Sequence, residues 1–287
     1  MVSFCCFFKF DDMGKLLLHT NKHLESHYSS LPPLTDEQIR FLDRFDSDDL
    51  GERVIRVLVD HHQMKVLYAK NTELLHVPAE EWSIPLFLSL LFGAYSGLYS
   101  RVAHAAYRLH HKHRLSRHGV NIYLQSSLPI ADAKGKAKYY HANRISRGVV
   151  YDLESGISLL TATEFRLSQD WDPDQAPVPF RPMLFLSEGK EVKRLTAFEN
   201  ELVKSATEGF VETEMGMTPE WLLVWQGHLD GLTNGQIASK TGLPSTKVNY
   251  YNTCILALFQ QQFSGGFENV KSCAKYWKKQ VEQIKLP

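Results

Sequence analysis

The sequence predicts an α+β protein in two parts: an antiparallel sheet with associated helices, followed by an all-helical C-terminal unit. Three observations carry this. β-rich runs cluster at 54–69 and 120–165 with helical pattern between them, so strands and helices are segregated rather than alternating. Pro173, Pro177, Pro179 and Pro182 interrupt both patterns and argue against regular structure over 170–190. From Leu195 onward apolar residues recur at helical spacing. A length of 287 residues suggests two domains. The expected division is a helical lead-in at 1–48, a sheet domain at 49–175, a linker with a connecting helix at 176–210, and a helical domain at 211–287.

Thirty-two Lys and Arg balance thirty-two Asp and Glu. A zero sum excludes a chain coated in one sign of charge, but not a local basic face. Apolar and charged contents of 44% and 22% are ordinary globular usage, and no internal repeat is present. Four cysteines, Cys5, Cys6, Cys254 and Cys273, form no C-x-x-C and no disulfide framework, which fits a reducing, cytoplasmic setting. The opening MVSFCCFFKF lacks the basic start of a signal peptide and is broken by Lys9, so cleavage is not expected; Met13 is an alternative start. Ile84–Ser100 is seventeen residues without a charge, but it contains Pro85 and Gly93 and runs into a His/Arg-rich stretch. It reads as a core helix, with no membrane attachment.

Thr35-Asp-Glu-Gln38 is a capping box opening a helix with Ile39, Leu42 and Phe45 on one face. Val54–Val59 and Lys65–Ala69 flank the polar turn Asp60-His-His-Gln63 and predict a hairpin. Helical pattern runs from Asn71 to about Arg117. Strands are expected at Val120–Ser126, Lys136–Ile145 and Ile157–Phe165, the first two joined by the loop Asp132–Gly135.

The C-terminal unit carries the most information. Thr218-Pro219-Glu220 is a strong helix start, and Gly231 ends that helix. Thr233-Asn-Gly-Gln236 is a second capping box, opening a short helix to Thr241. Gly242 supplies a turn that needs positive φ, and a third helix follows from Pro244-Ser245 to about Phe259. Ala238 is the small residue expected where the helices cross. Ile237, Leu243, Val248, Ile255 and Tyr251 are expected to face inward. Two helices joined by a Gly-containing turn make a helix-turn-helix.

This stretch resembles the C-terminal helix-turn-helix of LuxR-type transcription regulators. Met217-Thr218, Gly231, Thr233-Asn234, Ile237-Ala238, Leu243 and Val248 match the family pattern, and 267–280 would be its fourth helix. Trp221, Pro244, Lys247, Asn249 and Tyr251 depart from it. Ser245 would cap the third helix in place of the residue Pro244 replaces.

The resemblance implies binding to double-stranded DNA by a dimer, with the third helix in the major groove. Ser245, Thr246, Lys247, Asn249 and Tyr250 are then the candidates for base edges, and Lys240 and Thr253 for phosphates. From Met217 onward seven lysines stand against four acids, with no arginine, a surplus of three positive charges. That predicts modest, salt-sensitive affinity for which dimerisation must compensate.

The strand–helices–three-strand order of 50–167 resembles a PAS sensor domain. Asn71-Thr-Glu-Leu-Leu-His-Val-Pro-Ala-Glu-Glu81 carries this, with His76 where a Gly is usual, together with the Pro129–Gly135 hairpin. Such a domain implies a small ligand or a partner bound between sheet and helices. No cofactor is indicated. The run Arg101–His118 could align His104, Arg108 and His111, but no Cys or carboxylate completes a metal shell, so a solvated helix face is expected. No G-x-S-x-G, P-loop or H-E-x-x-H occurs, and an enzyme is not expected. The reading is a ligand- or partner-sensing transcription regulator. The alternative is a protein–protein signalling adaptor whose helix-turn-helix no longer touches DNA.

Overall fold

The computed structural model describes residues 32–40, 50–113, 120–134, 138–152, 154 and 157–282. Cys5, Cys6, Met13, Leu42 and Phe45 lie outside them. The short helix α1 (Asp36–Arg40) starts on the anticipated capping box: the Thr35 N–H donates to Gln38 Oε1 at 2.9 Å, and the Gln38 N–H to Thr35 Oγ1 at 3.3 Å.

The protein is α+β. One seven-stranded sheet has the order β2-β1-β5-β4-β3-β6-β7, antiparallel at every pairing, and a helical C-terminal part follows. β1 (Val54–Asp60) and β2 (Lys65–Lys70) form the expected hairpin. β3 (Val120–Ala131), β4 (Tyr139–Tyr151) and β5 (Ser158–Trp171) run longer at their C-terminal ends than the β-rich runs that predicted them. In β4 alternate residues Ala142, Arg144 and Ser146 are buried, the period-2 signature of a sheet with one covered face. β1 is buried on both faces. Ile55 and Val57 enter the main core, while Leu58 joins Leu160 and Ala162 beneath Leu34.

Two expectations are corrected here. Regular structure was not anticipated anywhere over 170–190, yet β5 continues to Trp171 and β6 (Met183–Glu188) and β7 (Glu191–Arg194) extend the sheet beyond β3. Proline bars a strand only where it sits, and past Pro182 the run Met-Leu-Phe-Leu is free to pair, with Gly189 at φ +60 turning the chain back. The uncharged run 84–100 is not one helix. α2 (Ile84–Leu90), capped by Ser83, stops at an extended Leu91, and α3 (Tyr95–His113) begins four residues later. Among the described residues no helix is long and apolar enough to cross a membrane.

The break between α2 and α3 is held by tertiary bonds. Leu91 bridges Ile130, and the Phe92 N–H donates to the Pro129 carbonyl at 3.2 Å. The Ala94 N–H donates to the carbonyl of Gln262, the last residue of α8 (Ser245–Gln262), at 2.9 Å. α4 (Thr196–Thr207) crosses α3 and leads through α5 (Phe210–Thr213) into the C-terminal helices α6 (Pro219–Leu229), α7 (Asn234–Thr241), α8 and α9 (Val270–Val281). One contiguous apolar core links the two parts, from Leu128 and Phe165 through Tyr95 and Phe210 to Phe259 and Trp277.

Gly93 has φ +46, and a Cβ there would run into the Gln262 carbonyl, which is backbone and cannot move aside. Gly93→Ala is therefore expected to lower the unfolding free energy by about 2–4 kcal/mol, combining left-handed strain with overpacking. Urea denaturation of the full chain checks this. Gly51→Ala, at a glycine with open space around it and no positive φ, is the control and should change little.

Candidate nucleic-acid interface and cavity

The helix-turn-helix forms as its caps dictate. Thr218 Oγ1 accepts from the Trp221 N–H at 3.3 Å, with Pro219 at the first helical position of α6. Thr233 and Gln236 close a reciprocal capping box on α7. Gly242 turns the chain in the left-handed region at φ +70. Val224, Trp225, Ile237, Val248, Ile255 and Phe259 are fully or almost fully buried, with Leu243 and Tyr251 packed at their edge.

Three details differ from expectation. The close approach is made by Gly227, not Ala238: a Cβ on Gly227 would lie 2.6 Å from Ile237 Cγ1, whereas Ala238 is only half-buried. Pro244, not Ser245, occupies the cap position of α8 and offers no side-chain acceptor, so Ser245 is the first helical residue. The fourth helix starts at Val270, behind an Asn269–Ser272 capping box.

Ser245, Thr246, Lys247, Asn249, Tyr250 and Thr253 are all solvent-exposed on α8, and Lys240 is exposed on α7. Their engagements separate them. Lys240 Nζ donates to Asp230 Oδ2 at 2.9 Å, so it meets a phosphate only by sharing or leaving that carboxylate. Thr253 Oγ1 donates to the Asn249 carbonyl at 3.2 Å. The Tyr250 ring lies 5.8 Å from that of Tyr251. Lys247 stands near the N-terminal end of α8, whose first turn holds no acid.

Asn249 belongs to a polar chain that sequence spacing does not show. Asn234 Nδ2 donates to Asn249 Oδ1 at 2.9 Å, and Asn252 Nδ2 donates to Asn234 Oδ1 at 3.1 Å. The chain ends where His228 Nε2 meets Asn252 Oδ1 at 2.8 Å. An amide oxygen only accepts, so Nε2 carries the proton, and burial holds His228 below its ordinary pKa, in the neutral form this bond uses. The chain ties α6, α7 and α8 together on their polar side. It leaves Asn249 Nδ2 and a second lone pair on Oδ1 available for a base edge. Three asparagines and a histidine spread over 25 residues give no sequence signal until the three helices bring them together.

A second site lies inside the sheet domain. A cavity of about 200 Å³ separates α3 from the sheet, walled by Trp82, Phe87, Ile122, Leu124 and Phe165. Tyr99, Ala103, Ala106 and His110 line it from α3, at spacings of three and four that keep them on one face. Its polar groups include His61, Arg144, Ser146, Thr161 and Thr163. His61 Nε2 is 2.7 Å from Thr161 Oγ1, and Ser146 Oγ is 2.6 Å from Thr163 Oγ1.

The basic run starting at Arg101 is therefore not a solvated face throughout. Arg101 donates to the carbonyls of Ala206 and Glu208, to Thr213 Oγ1 and to Glu214 Oε1. It clamps α3 to the α4–α5 connection, with its guanidinium 5.4 Å from the Phe210 ring centre. His110 faces the cavity. Arg108, Lys112 and His113 do remain exposed. Among the described residues no His/Cys/Asp/Glu group could hold a metal ion. His76, at the position where Gly is usual, has φ +55, and its Nδ1 lies 2.7 Å from Asp132 Oδ1. The left-handed turn is kept without glycine, and the side chain reaches the β3–β4 loop.

No protein-family model and no curated protein matches this chain. Among solved structures it is similar to the phage VqmA–DPO complex, at 15% identity and a TM-score of 0.27, over 87% of this chain and 93% of that one. It is also similar to the VqmA–ligand–DNA complex of Vibrio cholerae, at 14% identity and a TM-score of 0.22, over 87% and 91%. The V. cholerae VqmA dimer without target DNA, described among LuxR-type receptors, is similar at 13% identity and a TM-score of 0.24, over 88% and 91%.

Burial pushes His61 down to about 4, helped by repulsion from His110, and burial alone pushes His110 down to about 4. Both folded-state values lie below the unfolded 6.5, so the unfolded chain binds these protons first and stability falls as pH drops from 6.5 toward 4. Each imidazole contributes a loss of about 2 kcal/mol between pH 7 and pH 5. His110→Gln should reduce the wild-type loss over that interval by about that amount, read from urea denaturation at the two pH values. An unchanged difference would show that His110 protonates freely in the folded protein.

Proposed function

We propose that this chain is a DNA-binding transcription regulator of LuxR type, reading duplex DNA through α8 as a cytoplasmic homodimer. Its sheet domain acts as a PAS-like sensor for a small molecule. The observation that carries the DNA-binding half is the exposed first half of α8. Ser245, Thr246, Lys247, Asn249 and Tyr250 project from a helix otherwise anchored by Val248, Ile255 and Phe259. Asn249 is oriented by Asn234, so its amide is held in place before any base arrives. α8 has no side-chain cap, and with the Lys247 N–H donating to the Pro244 carbonyl it is the Ser245 and Thr246 amides that are left for phosphate oxygens or water.

The strand–helices–three-strand order behind the PAS resemblance is present. The cavity between sheet and helix is where such a domain would hold a ligand. α3 lines that cavity, and the residues just before it bond to the C-terminal end of α8, the helix whose first half carries the proposed DNA contacts. Arg194, the last arginine of the chain, is committed to the buried Glu199, which also accepts from the Leu184 N–H. Positive charge for DNA therefore comes from lysines, and a second copy supplies the remaining contacts.

Lys247→Ala and Asn249→Ala should each weaken duplex binding about 5- to 100-fold, with the lysine change also reducing the salt slope by about one. Fluorescence anisotropy on genomic fragments recovered with the full chain, at several salt concentrations, reads both. The unfolding midpoint should hardly move in Lys247→Ala, whose side chain is exposed, whereas Asn249→Ala also loses the bond from Asn234 and should cost about 1 kcal/mol. Isotherms unaffected by either change would show that α8 does not read the duplex, and no duplex binding at any salt concentration would favour a signalling adaptor that binds proteins instead of DNA.

A further inference from the structure

The cavity's polarity is asymmetric. Its lining includes Arg144 and Arg147 and no carboxylate. Arg144 is 6% exposed and sits mid-strand in β4, where its ladder partners are Ser126 and Phe165, neither of them acidic. Its guanidinium carbon lies 4.5 Å from the centre of the Tyr99 ring, a cation–π contact that supplies no anion. Among the described residues Arg144 has no ion pair, and its Nε is buried without an acceptor. Ser126 Oγ, on the same face of the next strand, is also buried without a partner.

The Nε atoms of Arg56 and Arg181 are also buried without an acceptor, but those guanidiniums have oxygen partners elsewhere, as Arg194 and Arg101 do. Arg56, equally buried in β1, meets Glu164 at 2.9 Å; Arg194 is held by Glu199; Arg101 has four oxygen acceptors. Burying a cation without an anion is costly, and arginine stays charged where lysine or histidine would shed its proton. A guanidinium left without a carboxylate on the wall of a cavity is therefore a receptor for an anion that the chain does not itself provide.

We propose that the cavity takes a compact organic carboxylate whose acid group pairs with Arg144 and whose apolar body packs against Trp82, Phe87 and Phe165. A dry cavity of about 150 Å³ accommodates benzene, so the somewhat larger space here suits an anion of about 8–12 non-hydrogen atoms, a ring or branched chain bearing one carboxylate. The neutral imidazoles of His61 and His110 and the Ser146–Thr163 hydroxyl pair add polar edges without adding charge. This inference rests on reading the sheet domain as a ligand sensor and adds the chemical class of the ligand.

The test is calorimetric titration of the full-length protein with benzoate, phenylacetate and 4-methylpentanoate, each beside its neutral amide, at matched ionic strength. Each carboxylate that binds should do so about tenfold or more tightly than its amide, as a charge-assisted pair requires. Arg144→Met should erase that preference and raise the ligand-free melting temperature, because an unpaired buried charge has been removed. Arg144→Lys should restore part of the preference. Ala103→Leu, which narrows the cavity from α3 and leaves Arg144 in place, should weaken acid and amide together. If Arg144→Met does not fold, the wild-type ratio and Ala103→Leu decide. Equal binding of acid and amide, a preference that survives in Arg144→Met, or no binding by any carboxylate at millimolar concentration would each overturn the proposal. Binding of the amides alone would leave the sensor reading standing and remove only the anion, and DNA affinity is measured separately.

Discussion

The arrangement of the whole molecule depends on a short stretch of backbone, Gly93 to Tyr95, threaded between the sheet and the end of α8. α8 finishes with a carbonyl, that of Gln262, which would otherwise need water or a cap, and the Ala94 N–H supplies the bond. Only a residue without a side chain fits beside that carbonyl at positive φ, so Gly93 is required there. Immediately beyond it, Tyr95 is completely buried. Its ring stands edge-on to Phe263, and its hydroxyl donates to the Val178 carbonyl at 2.6 Å, where Tyr276 from α9 also donates. Burial holds the Tyr95 hydroxyl well above its usual pKa, so it keeps the proton it donates.

Around that stretch the other contacts fall into place. The proline segment after β5 does not span open space but lies against the C-terminal helices. The Gly265 N–H and Ser264 Oγ donate to the Pro173 carbonyl, and Arg181 donates to the carbonyls of Lys279 and Glu282. On the far side of α3, Arg101 fastens the helix to the α4–α5 connection, and Phe210 stacks on Trp277 with ring centres 5.8 Å apart. α3 thus has three kinds of neighbour at once: the cavity along Tyr99, Ala103 and His110, the core along Leu98, Val102 and Leu109, and the C-terminal helices at its N-terminal end. A displacement of α3 by a cavity occupant would change the packing beneath α8, the only physical route that coupling between the two sites requires.

Local signals were legible wherever one short stretch contains its own cause. The caps at Thr35, Thr218 and Thr233, the left-handed Gly242, the β1–β2 hairpin and the inward set Ile237, Val248 and Ile255 all follow from neighbours a few residues apart, and all formed. The surface of α8 was legible for the same reason, since once the buried face of a helix is known the exposed one is fixed by its period. Features built from distant residues were not. The partners of Arg101 lie more than a hundred positions away, the chain from His228 to Asn249 joins three helices, and Gly227 matters only because Ile237 packs on it. The strands after Pro182 were missed because a pairing partner, β3, decides whether six residues become a strand.

The sequence alone therefore determined the class of fold, the order of its elements and the face that the C-terminal motif turns outward, because caps, turns and periodicity act over a handful of residues. Only the tertiary structure decided what those elements do to one another. It bent the uncharged run at Gly93, turned part of a basic helix into a cavity wall and left Arg144 facing that cavity without an acid. Burial is a property of the assembled chain, and it is burial that makes an unpaired charge costly and a neutral histidine stable.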